Sequence, residues 1–224
     1  MFEQTREYAF RGPDHMKMKP AQNPNPWPEF EAGSDDGRRQ RSDRSRQKII
    51  EAMFHLLREG SVSPTATAVA ERAEVGLRTV FRHFADMESI FEEMAEQLSS
   101  ITMPMVVAPY QATHWRDRLM ELVERNAKLY ELIFPLQVAL VIRRFESDFL
   151  QRQYMREVNL LRAALKSVLP AKIVEDRIVF AAIEVNLTFA TWRRLRQDQN
   201  LSVETAATTL KHILQALIKD IQDA

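Results

Sequence analysis

Thr65-Ala66-Thr67-Ala68-Val69-Ala70-Glu71-Arg72-Ala73-Glu74-Val75-Gly76-Leu77-Arg78-Thr79-Val80-Phe81-Arg82-His83-Phe84-Ala85-Asp86-Met87-Glu88-Ser89-Ile90-Phe91 is the stretch on which the fold turns. It holds two short helical patterns with almost no connection between them. The first runs through Val69, Ala70 and Ala73, with Ser63-Pro64 expected to supply its N-cap and first-turn proline. The second runs from about Gly76 to Phe84, and Asp86 then caps a longer helix carrying Ile90, Phe91, Met94 and Leu98. Helices of two turns do not stand alone in water, so a third must brace them. Ile49, Ile50, Met53, Leu56 and Leu57 recur at helical spacing just upstream, and Gly60 stops that pattern.

A brace followed by two short helices in quick succession is the layout of a helix-turn-helix, whose second helix enters the major groove of DNA. That helix can be resolved by angle at about 100° per residue. Leu77, Val80, Phe81 and Phe84 fall on one arc, and Arg78, Thr79, Arg82 and His83 on the opposite one. One side is therefore expected to pack, while the other offers guanidiniums, a hydroxyl and an imidazole to bases and phosphates. An ordinary amphipathic surface helix has the same pattern. Its position after a basic run, Arg38, Arg39, Arg41, Arg44, Arg46 and Lys48 against Asp43 alone, favours the DNA reading.

The Thr65–Phe91 segment resembles the DNA-binding domain of the TetR family of transcriptional regulators. In that family a Thr opens the second helix, an Ile/Val-Ala pair sits inside it, a Gly-Val turn leads to a recognition helix ending Tyr-x-His-Phe, and a Lys-Glu pair starts the fourth helix. The resemblance implies that Thr65 and Thr79 contact phosphates or bases and that Arg78, Arg82 and His83 line the groove-facing surface. Arg44 and Arg46 would touch the DNA backbone, and Gly76, Leu77 and Phe81 complete the expected DNA-binding set. Four residues depart from the family pattern. Glu74 stands where the turn Gly is usual, implying a left-handed residue that costs ~1–2 kcal/mol or else a different turn. Gly76 replaces a Ser cap, Phe81 lacks the phosphate-binding hydroxyl of Tyr, and Met87 lacks the charge of Lys.

Beyond this unit the sequence remains helical. Patterns recur over roughly 115–134, 136–146, 148–168, 171–197 and 202–222, with Pro104, Pro109, Pro135 and Pro170 as breaks and Ser202 as the last N-cap. No segment alternates long enough for a sheet, so the fold class is all-α, with about nine helices. Residues 1–40, rich in Pro and Gly and without periodicity, read as a flexible arm. Residues 41–98 form the helix-turn-helix domain, and 99–224 an effector-binding and dimerisation domain.

In 202–222 an apolar stripe runs through Val203, Ala206, Leu210, Ile213, Leu214, Leu217 and Ile221, and 171–197 is apolar nearly all round. Periodicity fits a monomeric bundle and a dimer equally well. The resemblance implies a homodimer, with Ile178, Val185, Phe189, Leu210, Leu214 and Leu217 at its interface. It also implies an effector pocket, for which Met103, Trp115, Asn126, Tyr130, Phe134, Phe145, Phe180, Glu184 and Asn186 are the candidate walls. Abundant Phe and Met point to an apolar or aromatic effector, with Glu184 and Asn186 as polar anchors. Asn126 and Gln137 are further polar residues set in apolar surroundings.

Composition narrows the alternatives. Lys and Arg number 31, as do Asp and Glu, so any nucleic-acid partner must be met by a local patch. Cysteine is absent, which removes disulfides and thiol nucleophiles. Only five glycines disfavour phosphate-cradling loops, and five scattered histidines form no metal motif. The carboxylate pair Glu92-Glu93 reads as solvated charge. No cofactor and no catalysis are expected. No signal peptide and no span of ~20 apolar residues is visible, so a cytoplasmic protein is the expectation. The functional expectation is a ligand-released repressor acting as a dimer on a palindromic DNA operator. The alternative is an all-helical adaptor whose helix-turn-helix-like unit docks a protein.

Overall fold

A computed structural model describes residues 37–222; the expected arm lies outside the described residues except for 37–40, which are helical and open α1 rather than forming a flexible arm. The fold is all-helical, with ten α-helices and no strand among the described residues. They are α1 (Gly37–Arg58), α2 (Ala66–Arg72), α3 (Leu77–His83), α4 (Met87–Val107), α5 (Trp115–Arg143), α6 (Asp148–Val168), α7 (Ala171–Glu175), α8 (Arg177–Asn186), α9 (Phe189–Arg193) and α10 (Val203–Ile218).

Two hydrophobic cores organise them. The first joins α1–α4 through Ile49, Ile50, Met53, Phe54, Val69, Val80, Phe84, Ile90, Phe91, Met94 and Leu98. It does not close at residue 98, because Leu136 and Ala139 of α5 complete it. The second is built around Leu119, Leu122, Leu165, Ile183, Trp192, Leu210 and Leu214. Helix α5 therefore belongs to both cores.

Helix termini follow side-chain chemistry. The Asp86 carboxylate accepts from the Ser89 amide at 2.8 Å while the Ser89 hydroxyl accepts from the Asp86 amide at 3.3 Å, a reciprocal box that starts α4. Ser202 caps α10 through the Thr205 amide at 3.0 Å. Helix α2 starts two residues later than expected: Thr65, not Ser63, is its N-cap, accepting from the Ala68 amide at 3.2 Å. Pro64 is buried just before it.

Two expected breaks fall differently. Pro135 sits inside α5, so the patterns at 115–134 and 136–146 are one helix. Proline removes one backbone donor, but Phe134, Pro135, Leu136 and Gln137 are all buried, and packing holds the helix through it. Pro104 sits inside α4. Ser100 and Pro104 are both exposed, so the missing backbone bond falls on the solvent side of the helix.

Conversely, the expected helix at 171–197 is divided. The Asp176 carboxylate accepts from the Ile178 and Val179 amides, and Thr188 caps α9 while its hydroxyl donates to the Val185 carbonyl. These side chains compete with helical bonding at both points. Nor is the segment enclosed on every side, as Ile178 and Val185 of α8 stand exposed. After α9 the chain continues through a short π-helical stretch, Arg194–Asp198. No helix among the described residues is long and apolar enough to cross a membrane.

Candidate nucleic-acid interface

Helices α1, α2 and α3 pack pairwise, so α3 is braced from two sides. The α2–α3 turn is set by backbone bonds. Val75 donates to the Ala70 carbonyl at 3.0 Å and Glu74 to the Glu71 carbonyl at 3.2 Å, the paired closure that ends a helix on a left-handed residue. That residue is Glu74, at φ 56°. Of the two turns expected at this position, the left-handed one is present. Gly76 then caps α3 in an extended conformation, at φ −67° and ψ 144°, which any residue can adopt. A Cβ there would meet only the Thr79 hydroxyl, at 3.9 Å.

Val80 on α3 and Phe84 at its C-cap are the buried residues facing the core. Leu77 and Phe81, expected to pack beside them, are instead 42% and 51% exposed. The packed arc is thus narrower than the apolar arc. A seven-residue helix braced by two others has contact width for only two large residues, and these take it. Arg82 lies about 180° from the midpoint of Val80 and Phe84 and so points directly away from the core. Arg78 and Arg82 are exposed, as are Arg44 and Lys48 on α1. None of the four is engaged in a salt bridge among the described residues. Thr79 and His83 are partly buried at the margins of this face, while Thr65 is exposed. Burial, followed by the charges of Arg82 and Arg46, lowers the His83 imidazole pKa and favours its neutral form.

Arg46 requires a correction. Its Nε donates to Glu93 Oε1 at 3.0 Å, Nη2 donates to Glu93 Oε2, and Nη1 donates to the His83 carbonyl at 2.8 Å. The guanidinium also lies over the Phe84 ring, 4.5 Å from its centroid. Arg46 is a clamp joining α1, the end of α3 and α4, and its fork faces into the protein. Glu93, read from sequence as solvated charge, is its partner, and the hydrogen bonds from Arg46 hold the Glu93 carboxyl below the usual range. Only Glu92 of that pair is exposed. Nothing in the local sequence marked a contact spanning 47 positions.

The candidate effector residues do not converge. Phe145 is 79% exposed, with the Arg144 guanidinium over its ring, and forms no pocket wall. Glu184 is taken by Arg162 at 2.8 Å, and the Asn186 amide donates to the Ala182 carbonyl of its own helix. Tyr130 donates to the Leu187 carbonyl at 2.8 Å. Tyr130 and Phe134 both pack edge-on against Phe189, with Phe134 and Phe189 buried, so these rings fill space rather than line it. Trp115 and Phe180 pack against the same core, Met103 is partly buried on α4, and Asn126 is buried with its Nδ2 unpartnered.

Two open clefts have other walls. One of about 480 Å³ runs along α6, from Gln151 to Leu160, and another of about 530 Å³ lies among Met105, Met120, Arg125 and Lys211. None of the nine candidates lines either. Sequence reasoning singled out Gln137 but not its partner: the buried Gln137 Nε2 donates to Oε1 of the partly buried Glu157 at 2.5 Å, and desolvation pushes the Glu157 carboxyl up to about 7.

The candidate interface residues divide sharply. Leu210, Leu214 and Phe189 are buried within the chain and cannot touch a second copy. Ile178 and Val185 are 82% and 57% exposed and stand two turns apart on one face of α8, with Ala181 also exposed between them. Leu217 is exposed on α10, which packs against α8.

The chain matches no model of a known protein family and no curated protein. What the site can do therefore rests on its geometry: a braced helix presenting two guanidiniums, unpaired among the described residues, and two half-exposed apolar side chains.

Proposed function

We propose that this protein is a DNA-binding transcriptional regulator, a ligand-released repressor that acts in the cytoplasm as a homodimer on a palindromic operator. The observation that carries the reading is α3. Val80 and Phe84 anchor it, α1 and α2 brace it, and its outward face sets Arg78 and Arg82 free of any acid among the described residues. Exposed guanidiniums on a short rigid helix suit bidentate contact with guanine edges, and Arg44 and Lys48 suit phosphates. The TetR-like pattern of Thr65–Phe91 supports the same conclusion.

Dimerisation in this reading uses the open face of α8 at Ile178, Ala181 and Val185, extended by Leu217. Two reading heads must be held about one DNA turn apart, ~34 Å, to meet both half-sites. Release by a small apolar effector requires that it favour a state with the heads displaced, by ~1–3 kcal/mol. Helix α5 suits this coupling because it contributes to both cores, and Arg143 near its end lies over the Phe91 ring at 4.8 Å. Ser147, which caps α6, donates to Glu88 of α4 and adds a second link.

The test is capture of fragmented genomic DNA by the purified full chain, followed by titration of the enriched fragment at several salt concentrations. Specific, salt-steep binding that Arg82→Ala removes without loss of helicity supports the reading. Absence of any enriched fragment overturns it. The second reading, a protein-binding adaptor, is favoured by one observation, the exposure of Leu77 and Phe81 beside the arginines.

A further inference from the structure

The outward face of α3 has two edges. Leu77 and Phe81 are four residues apart and share one edge, while Arg78 and Arg82, also four apart, share the next. At about 100° per residue the four span an arc of about 140°, from Leu77 beside Phe84 at the core margin, through Phe81 and Arg78, to Arg82 opposite the core, and all four are exposed. Neither apolar side chain belongs to the buried core: Phe81 is half exposed and Leu77 nearly so, although both lie on the helix where packing was expected. Exposed Leu and Phe on so short a helix, bordered by unpaired cations, describe a surface complementary to something both anionic and locally apolar. The major groove of DNA meets both conditions, through its phosphates and through the C5 methyl of thymine.

We propose that Leu77 and Phe81 form an apolar reading edge for thymine methyl groups beside the guanine-reading edge of Arg78 and Arg82. This rests on the DNA-binding reading above and adds the class of sequence read. Leu77 and Phe81 are separated by about 6 Å along the helix axis, close to two base steps of about 3.4 Å. The half-site therefore carries thymines within two steps of each other, adjoining a guanine. Phe81 cannot hydrogen-bond a phosphate as a tyrosine would, so its contribution is to discrimination among bases rather than to sequence-independent affinity.

The experiment is selection from a randomised duplex library by the full chain, followed by replacement of each thymine in the enriched half-site with deoxyuridine, which removes only the methyl. At the thymines read by Leu77 or Phe81, the expected loss of wild-type affinity is about fourfold per methyl. Phe81→Ala is expected to bind more weakly and to be insensitive to the replacement at its own thymine, and Leu77→Ala likewise at the other. Both residues are exposed, so neither variant removes core contacts. Enrichment of a duplex that binds equally well with deoxyuridine throughout overturns the methyl-reading proposal while leaving DNA binding intact. Failure to enrich any duplex overturns the DNA-binding reading itself and shifts the face to a protein partner.

Discussion

Arg46 on α1 grips Glu93 on α4 with the Nε–Nη2 edge of its guanidinium, and Nη1 of the same group donates to the carbonyl of His83 at the end of α3. One side chain thereby fixes three helices of the head. Arg46→Ala is expected to destabilise the protein by about 1–2 kcal/mol, through lost charged hydrogen bonds and an unpaired Glu93. The sign with pH follows from Glu93, whose carboxyl is held below its usual value by the hydrogen bonds from Arg46. Its stabilisation is present above the unfolded-state value near 4.5 and is lost as pH falls through the lower folded value. Urea titrations at pH 7 and pH 3 check this. A wild-type to Arg46→Ala difference that does not shrink in acid contradicts it.

Glu74 holds a left-handed conformation that a glycine adopts without penalty. Glu74→Gly should raise stability by about 0.5–1 kcal/mol, the relief of strain exceeding the entropy of the unfolded glycine. The melting temperature reports it, and a lower value for the variant counts against the strain.

Glu157 titrates near 7 because burial opposes its charge, with Gln137 as its hydrogen-bond donor. The folded value lies above the unfolded one of 4.5. Its favourable contribution is therefore complete below that unfolded value and disappears as pH rises towards 7, a loss of up to about 3 kcal/mol. Glu157→Gln should flatten the fall in stability between about pH 5 and pH 8 and be the more stable form at the upper end. Parallel pH profiles for the two proteins would contradict this assignment.

The dimer reading separates residues of similar character. Val185→Glu on the open face of α8 should leave the helical signal intact while converting a dimer to a monomer and abolishing operator binding. Leu210→Glu places a charge in the core and should unfold the chain, at a cost of several kcal/mol, roughly 4 or more. Sedimentation and circular dichroism distinguish the two. A monomeric wild type defeats the interface proposal outright.

Local chemistry along the chain was enough for the fold class, the packing stripes and several termini. Asp86 and Ser202 cap the helices expected of them, and Val80 and Phe84 occupy the core side of α3. These outcomes depend on contacts within a few residues and on periodicity, which a single sequence displays. The left-handed Glu74 was foreseeable as one of two turns for the same reason.

What only the tertiary structure decided is which side chains of a given type are left over. Leu77 and Phe81 have the same apolar character as Val80, yet the space between α1, α2 and α3 admits only part of the stripe. Arg46 and Arg82 are both arginines on basic, amphipathic helices. A glutamate 47 residues away captures the first, and the second stands exposed with no acid paired to it among the described residues. Pro135 continues a helix because its neighbours are buried, and Thr188 ends one because its hydroxyl finds a carbonyl. Periodicity specifies that a face is apolar or charged. Whether a partner meets that face depends on distances between segments remote in the chain, and these exist only once it has folded.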